Sequence, residues 1–207
     1  MPGTPTTVNK FIYLASQSPR RSQLLEQIGV RHELLLPGPD EDAEGLEALH
    51  PGEAPVRYVQ RVTQRKLDAA LQRLQARGLP QAPVLCSDTT VALGRTVLGK
   101  PLDAADARRM LSLLSGTTHR VLTAVALGTP SGRLAALSVS RVRFTVLGEQ
   151  QIRQYVATGE PMGKAGAYAV QGAAAAFIAH ISGSYSGIMG LPMYETAQLL
   201  HAMGHTQ

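Results

Sequence analysis

Two serines and two arginines stand together where an apolar segment gives way to a predicted helix. Ser16 and Ser18 are followed by Pro19, Arg20 and Arg21. A helix N-terminus presents free backbone N–H groups and a partial positive charge, and guanidinium groups bind phosphate oxygens two at a time. Arginine is disfavoured in a first turn, because its charge has the same sign as the helix dipole there. The segment therefore predicts a phosphate-binding site, with a capped helix that carries surface arginines as the alternative.

A carboxylate follows a second apolar segment. Asp88 comes shortly after the predicted buried strand at 84–86. Open α/β sheets place their sites at strand ends, where a carboxylate can bind Mg²⁺ or accept a proton from water. The acidic run at 40–42 offers a second carboxylate, Glu41, which could share a metal with Asp88. A turn-capping aspartate and a solvated acidic loop are the alternatives.

Three lysines and a glutamine complete the candidate set. Lys100 lies in a Gly-Lys-Pro segment and Lys66 on a predicted long helix, and both are point charges suited to phosphate. Lys164, a further candidate for phosphate binding, belongs to a run of small residues that lets the backbone approach a ligand closely. The amide of Gln171 can read a base edge or satisfy buried backbone groups. For Lys66 the alternative is a solvated helix face.

The elements that must position these residues are a mixture of strands and helices. Apolar runs and alternation predict strands at 11–15, 84–86, 119–128 and 133–146, and a hairpin at 90–98. Helical spacing predicts helices after Pro19, Pro55, Asp103 and Pro192, and near 149–158. The Gly/Ala-rich stretch before Pro192 is predicted to be β structure. The pattern indicates an α/β or α+β fold in one domain, 10–207, after a flexible tail at 1–9.

Composition excludes several classes of protein. The chain has 207 residues, of which 44% are hydrophobic, so it can form a globular core. Neither an apolar run long enough for a transmembrane helix nor a signal peptide is visible, and we expect a cytoplasmic protein without a membrane partner. A single cysteine, Cys86, rules out an intrachain disulfide and a cysteine metal knuckle.

The net charge of +5 favours an anionic partner. The chain has no tryptophan and only 4% aromatic residues, so it offers few platforms on which the bases of a single strand could stack. We therefore expect a small polyanion such as a triphosphate rather than nucleic acid. A solvated basic surface is the alternative.

Six segments of the chain, in this order, resemble the Maf (septum-formation-inhibitor-like) family. They are LASQSPRRSQLL at 14–25, SDTTVALG at 87–94, GKP at 99–101, LSGTTHRVLTAVAL at 114–127, KAGAYAVQG at 164–172 and GSYSGIMGLP at 183–192. Any one segment is a weak signal, whereas six in order are very specific. The resemblance covers nearly the whole chain except the N-terminal tail and the loop at about 37–53.

The resemblance implies an α/β fold with a mixed twisted sheet, flanking helices and two lobes around a deep nucleotide-binding cleft. It implies a metal-dependent enzyme in which water attacks the α-phosphorus of a nucleoside triphosphate and pyrophosphate leaves. By motif, Asp88 matches the catalytic base. Phosphate-binding positions match Arg20, Arg21, Lys66 and Lys100. A divalent cation, Mg²⁺ or Mn²⁺, is implied at Glu41 and Asp88, although the loop after Glu41 is longer than usual.

The resemblance also bears on the substrate. The branch that acts on dTTP and UTP has Arg, Thr and Gln at three discriminating positions, and this chain has Arg20, Thr89 and Gln171. A glutamine amide can donate to O4 of uracil or thymine and accept from N3–H. The branch that acts on 7-methyl-GTP has tryptophan and glutamate at the first and last of these positions. House-cleaning hydrolysis of dTTP and UTP is therefore expected.

Several alternatives remain open at this point. One is a purine-type pyrophosphatase that acts on 7-methyl-GTP, ITP or XTP, and another is a non-enzymatic nucleic-acid-binding protein. A homodimer is compatible with the sequence. One departure from the family also matters: Gly163 stands where the family often has aspartate before the Lys-Ala-Gly segment, which puts the surroundings of Lys164 in question.

Overall fold

A computed structural model describes residues 11–42 and 45–205; the predicted tail at 1–9 lies outside the described residues. The strands are β1 (Ile12–Leu14), β2 (His32–Leu34), β3 (Val84–Leu93), β4 (Thr96–Leu98), β5 (Thr118–Thr129), β6 (Gly132–Phe144) and β7 (Ile178–Ser182). The α-helices are α1 (Pro19–Gln27), α2 (Pro55–Ala76), α3 (Ala104–Leu114), α4 (Glu149–Ala157), α5 (Tyr185–Met189) and α6 (Met193–Ala202). Short 3₁₀ helices occupy Gly45–Glu47, Ala165–Ala167 and Ala173–Phe177.

Within the described residues the strands form one mixed sheet in the order β2-β1-β3-β5-β6-β7, and β4 pairs with β3. β1 runs parallel to both β2 and β3, whereas the pairs formed by β3 with β4 and β5, and by β6 with β5 and β7, are antiparallel. This arrangement, with helices on both faces, confirms the predicted mixed α/β fold. None of the helices in the described part of the chain is long and apolar enough to cross a membrane.

One edge of β3 is covered only near its two ends. β1 pairs with Val84 and Leu85, and β4 pairs with Val91 to Leu93. The opposite edge of β3 pairs with β5 along 84–92. Residues 86–90 therefore have a strand on one side only, and the sheet opens where β1 has ended and β4 has not begun.

The hydrophobic core lies on both faces of the sheet. α2 covers one face, where Val59, Val62 and Leu67 pack against the side chains of β3 and β5. On the other face, one cluster includes Leu24 and Leu25 of α1, and a second cluster joins α3, α4 and the 3₁₀ helices Ala165–Ala167 and Ala173–Phe177. Because successive side chains of a strand point to opposite faces, neighbouring residues of β3 meet different environments.

The structure corrects two local predictions. Asp88 does not lie at a strand end, because β3 runs without a break from Val84 to Leu93 and Asp88 pairs with Ala124 in its middle. The strand continues because the following Thr-Thr-Val-Ala segment is itself β-favouring and half apolar. The Gly/Ala-rich stretch after Gly163 is also not a strand; most of it forms 3₁₀ turns, and β structure begins only at Ile178.

Gly166 shows why this stretch needs small residues. Its φ of +68° is in the left-handed region, and a Cβ at this position would lie 2.8 Å from Cγ2 of Val91. The N–H of Gly166 donates to the carbonyl of Gly99 at 3.0 Å. The 163–170 segment is thus held closely against the β3–β4 hairpin and the residues that follow it.

Candidate active site

A cleft of about 420 Å³ opens beside the uncovered edge of β3. Its walls come from the start of α1, the middle of β3, α2, the segments around Lys100 and Lys164, and the residues that end α5. Of the predicted site residues, the following line it: Ser16, Ser18, Arg20, Arg21, Lys66, Asp88, Thr89, Lys100 and Lys164. Residues that are distant in the sequence therefore share one concave surface.

The first wall is the N-terminus of α1. Ser18 is the N-cap and Pro19 the first helical residue, as predicted, but the Ser18 side chain makes no capping hydrogen bond. Instead, Oγ of Ser16 accepts hydrogen bonds from the backbone N–H of Ser18 at 3.1 Å and from Nη1 of Arg21 at 3.0 Å. The Ser16 hydroxyl has its own proton left to donate, and the Ser18 hydroxyl has no partner in the described structure.

The two arginines of α1 are anchored by backbone carbonyls at the end of α5. Nε of Arg20 donates to the carbonyl of Met189 at 3.3 Å, and Nε of Arg21 donates to the carbonyl of Gly190 at 2.8 Å. Oγ of Ser87 lies 3.0 Å from the Gly190 carbonyl and 2.9 Å from the carbonyl of Ala124, and its one proton is shared between these two acceptors. Burial lowers the pKa of Arg21, and the negative charge of Asp88 opposes that shift. Both guanidinium groups are therefore oriented before any ligand binds.

The second wall holds two carboxylates joined by a lysine. Nζ of Lys66 donates to Oδ1 of Asp88 at 2.6 Å and to Oε1 of Glu47 at 2.7 Å. Lys100 donates to Oε2 of Glu47 at 2.9 Å. Burial acts to raise the pKa of Glu47, but the charges and hydrogen bonds of Lys66 and Lys100 outweigh it, and the net shift is downward. The Glu47 carboxylate therefore remains ionised at neutral pH.

Arg20 and Lys164 add positive charge to the same cleft. Burial, followed by the positive charge of Arg20, lowers the pKa of Lys164, and only Glu160 acts in the other direction. In the described part of the chain, neither Arg20 nor Lys164 forms an ion pair with an acid. Two cations that repel each other and form no direct ion pair favour an anionic ligand, because a bound anion would relieve their repulsion.

A third wall is apolar. Val91, Val121, Tyr168, Val170 and Ile188 line the cleft and belong to one buried cluster. The cleft thus has a charged part, suited to a phosphate chain, and an apolar part with room for a flat ring.

Thr89 lies between these two parts, and the hydrogen bonds around it determine what it can offer a ligand. Its Oγ1 is 3.0 Å from Oγ1 of Thr123, its cross-strand partner in β5. Thr123 donates its own proton to the carbonyl of Gly187 at 2.7 Å. Because a hydroxyl has one proton, Thr89 must be the donor to Thr123. Towards the cleft, Thr89 therefore presents only acceptor lone pairs.

The predicted pairing of Glu41 with Asp88 needs correction. The side chain of Arg73, a buried residue of α2, binds both carboxylate oxygens of Glu41 at 2.5–3.0 Å. Arg77 lies 3.7 Å away. Glu41 is not among the residues that line the cleft. The glutamate that lines it, next to Lys66, is Glu47. The long loop displaces the acidic run at 40–42 from the site, so that a glutamate further along the chain reaches Lys66.

Gln171 is the other predicted residue that the structure does not bring to the lining. It is exposed and follows directly after Val170, the last lining residue of that segment. A base-reading role for Gln171 stays a prediction from the resemblance.

Sequence reasoning missed two residues of the site. Glu47 lies in the same long loop as Glu41. Because this loop is longer than is usual in the family, motif matching could not decide which of its glutamates reaches the site. Thr123 lies in a β segment that also matches the family, but only the pairing of β3 with β5 shows that its hydroxyl reaches Thr89.

Taken together, a mixed α/β sheet opens into a cleft that combines an excess of cations, two acidic side chains joined by a lysine, and an apolar wall. These features define a site for an anionic ligand with an apolar ring, of which a nucleotide is the obvious class. Residues 11–203 match the Maf-like protein family. The chain belongs to this family.

Similar proteins cover almost the whole chain. A dTTP/UTP pyrophosphatase of Albidiferax ferrireducens is 73% identical over 95% of this chain and 98% of its own length. Proteins of the same name from a Polaromonas species and from Cupriavidus metallidurans are 66% and 60% identical, over 94% and 95% of this chain and 96% and 98% of their own lengths. The Ham1 protein of Staphylococcus aureus aligns over 65% of this chain and 72% of its own, with 12% identity and a TM-score of 0.39, a likeness that is too low to bear on fold or function.

Proposed function

We propose that this protein is a nucleoside triphosphate pyrophosphatase that hydrolyses dTTP and UTP to their monophosphates and pyrophosphate. The observation that carries the proposal is the Lys66-linked pair of Asp88 and Glu47 in the same cleft as Arg20 and Lys164, two cations that form no ion pair among the described residues. Relatives of 60–73% identity that bear the name dTTP/UTP pyrophosphatase support the choice of substrate. The expected setting is the cytoplasm, as a house-cleaning activity on nucleotides.

The proposed reaction is an in-line displacement at the α-phosphorus. Water forms the new bond to phosphorus, the bond to the bridging oxygen breaks, and pyrophosphate leaves. Asp88 accepts the proton of the attacking water, because its carboxyl group lines the cleft on the open edge of β3, beside Lys66. Arg20, Lys164 and the N-terminus of α1 hold the phosphate chain in position, which is the main contribution a protein makes to this chemistry.

The residues present fit a divalent cation. Glu47 and Asp88 already share one cationic group, the ammonium of Lys66, so their carboxylates converge. No cluster of three or more acidic, histidine or cysteine side chains with metal-ligand geometry occurs among the described residues. A pair of converging carboxylates suits Mg²⁺ or Mn²⁺, which bind through one or two carboxylates together with substrate phosphates and water. When bound, the cation would neutralise phosphate charge.

Lys66 has a second task in this proposal. An ammonium has three N–H donors, and two of them are used by Asp88 and Glu47. The third can bind a phosphate oxygen without breaking either contact. Lys66 would thereby fix the distance between the proposed base and the phosphate chain.

The base preference is proposed to depend on Thr89. As an obligatory acceptor towards the cleft, its hydroxyl fits the N3–H of uracil or thymine. The N3 atom of cytosine is itself an acceptor, so cytosine is disfavoured at the same position. Thymine and uracil differ by one methyl group, and we expect both to be used with little preference.

The proposal is tested by quantifying pyrophosphate release from a panel of nucleotides: dTTP, UTP, CTP, ITP, XTP and 7-methyl-GTP, with Mg²⁺ or Mn²⁺. dTTP and UTP should be the preferred substrates. Asp88→Asn should lower kcat by about 10²- to 10⁴-fold, the usual cost of losing a general base. Asp68→Asn is the matched control, since Asp68 pairs with Arg133 on the surface and should leave the rate unchanged.

Near-normal turnover by folded Asp88→Asn protein would exclude Asp88 as the base. Preferential hydrolysis of a purine nucleotide would replace the pyrimidine assignment and keep the reaction class. Absence of pyrophosphate release from every nucleotide, together with salt-sensitive binding of DNA in a gel-shift assay, would favour a nucleic-acid-binding protein instead.

A further inference from the structure

Glu47 reaches the cleft from a segment with little regular structure of its own. It ends the 3₁₀ helix Gly45–Glu47, and the next regular element, α2, begins at Pro55. A side chain on such a segment needs outside support if its carboxylate is to stay next to Lys66. The backbone contacts of this segment therefore decide how well Glu47 is placed.

α2 provides this support at two successive carbonyls. The hydroxyl of Tyr58 donates to the carbonyl of Glu47 at 2.9 Å, and Nη2 of Arg61 donates to the carbonyl of Ala48 at 2.8 Å. The guanidinium of Arg61 also lies over the ring of Tyr58, 5.6 Å from its centroid. α2 carries Lys66 as well, so one helix sets the positions of both Glu47 and the lysine it contacts.

Glu53 locks Arg61 in this orientation. Its two carboxylate oxygens accept hydrogen bonds from Nε of Arg61 at 2.7 Å and from Nη2 at 2.6 Å. Only 10% of the Glu53 side chain and 20% of the Arg61 side chain are exposed, so solvent screens this pair weakly. The hydrogen bonds from Arg61 lower the pKa of Glu53 to about 2, and the pair stays charged at all pH values at which the enzyme would work.

Neither Arg61 nor Glu53 lines the cleft in the described structure. We infer that Arg61 and Glu53 form a clamp that positions Glu47 for the reaction. The clamp acts through the backbone of residues 47–48 and touches no substrate atom. This inference rests on the proposed function, in which Glu47 is one of the two carboxylates that hold the divalent cation.

The test compares Arg61→Gln and Glu53→Gln with the parent and with Glu47→Gln. A residue that supports a metal ligand typically contributes about 10- to 100-fold in metal affinity or activity. We expect each clamp variant to need about 10- to 100-fold more Mg²⁺ for half-maximal pyrophosphate release, and to recover most of the parental kcat at saturating Mg²⁺. Mn²⁺ titrated into the substrate-free protein and followed by electron paramagnetic resonance should bind correspondingly more weakly.

A double variant separates positioning from general destabilisation. If Arg61 acts through Glu47, then Glu47→Gln/Arg61→Gln should be no worse than Glu47→Gln alone. Arg61→Lys keeps the charge but cannot donate from two fixed nitrogens, and it should fall between the parent and Arg61→Gln. Arg133→Gln breaks another ion pair of α2, at Asp68, and should leave the Mg²⁺ requirement unchanged.

The outcomes distinguish the inference from the proposed function. If the parent hydrolyses none of the nucleotides, the proposed function fails. If the parent is active and Glu47→Gln is impaired, but folded Arg61→Gln and Glu53→Gln keep the parental Mg²⁺ and Mn²⁺ dependence, the clamp is overturned on its own. Additive losses in the double variant would overturn it as well. Should Arg61→Gln not fold, Glu53→Gln and Arg61→Lys carry the same comparison.

Discussion

Replacement of Thr89 by valine tests the base preference most directly. The change keeps the shape of the side chain and removes its hydroxyl, which in the parent donates to Thr123 and can only accept from a ligand. The N3–H of uracil or thymine would then face a methyl group. N3 of cytosine, by contrast, would lose a repulsive neighbour.

The expected size of the effect comes from the surroundings. Thr89 lies at the border of the apolar part of the cleft, two residues before Val91 on β3, so water can replace the lost acceptor only poorly. A buried donor left without a partner costs about 1–3 kcal/mol, which is roughly a 5- to 150-fold loss in kcat/KM for UTP and dTTP. CTP should lose less or gain, and the UTP-to-CTP ratio should fall by a similar factor.

The assay is pyrophosphate release with UTP, dTTP and CTP by the parent, Thr89→Val and Thr123→Val. Loss of the Thr123 hydroxyl frees the proton of Thr89, which can then point to N3 of cytosine, so Thr123→Val should also lower the UTP-to-CTP ratio. Gln171→Glu should change the ratio less than Thr89→Val, because Gln171 is exposed outside the lining. An unchanged ratio in folded Thr89→Val protein would refute the role of the hydroxyl chain.

Two further predictions concern the charged groups around the cleft. Arg20→Ala should raise KM for the triphosphate by about tenfold or more, since a hydrogen bond to a charged group contributes about 1.5–3 kcal/mol. It should also raise the pKa of Lys164, because it removes a like charge. Steady-state kinetics and an NMR titration of Lys164 check the two effects, and an unchanged KM would leave Arg20 only a structural role. Glu41→Gln should leave kcat/KM unchanged but alter the acid sensitivity of the fold. Hydrogen bonds from Arg73 lower the pKa of Glu41 to about 2 from a usual 4.5, so the stabilising effect of Glu41 is complete above pH 4.5 and is lost as the pH falls towards 2. In urea unfolding, the free energy of unfolding should fall less across this pH range in the variant than in the parent. An identical pH dependence in the two proteins would contradict the assignment.

Most of the secondary structure was predictable because it depends on local patterns. The apolar run at 11–15, the Ser-Pro helix start and the hairpin around Gly94 all appear at the predicted places. The Asp103 cap is also present, with its side chain accepting from the N–H of Asp106 at 2.8 Å. Each of these features depends on a few residues that are close together in the sequence, so a short segment of sequence is enough to predict it.

The errors arose where a local pattern had more than one outcome. The small residues after Gly163 are compatible with a strand, with a turn or with a close approach to a ligand. The 3₁₀ turns form because Gly166 packs against Val91 and donates a hydrogen bond to the carbonyl of Gly99. Asp88 was expected at a strand end because the apolar run that predicts the strand stops at Cys86. Pairing with β5 on one edge and α2 above one face keep β3 extended through it.

For the site, the sequence alone determined the residue types and most of their positions. The motifs around Arg20, Asp88, Lys100 and Lys164 predicted residues that do line one cleft. Their order along the chain identifies the family, and members of one family share the fold that brings these residues together. Tertiary structure decided which glutamate joins Asp88. A long loop has no periodicity that fixes its path, so only its contacts with α2, from Arg73 to Glu41 and from Tyr58 and Arg61 to residues 47–48, select Glu47. It also decided the direction of the hydroxyl proton of Thr89, which depends on a carbonyl nearly one hundred positions away in the chain, at Gly187.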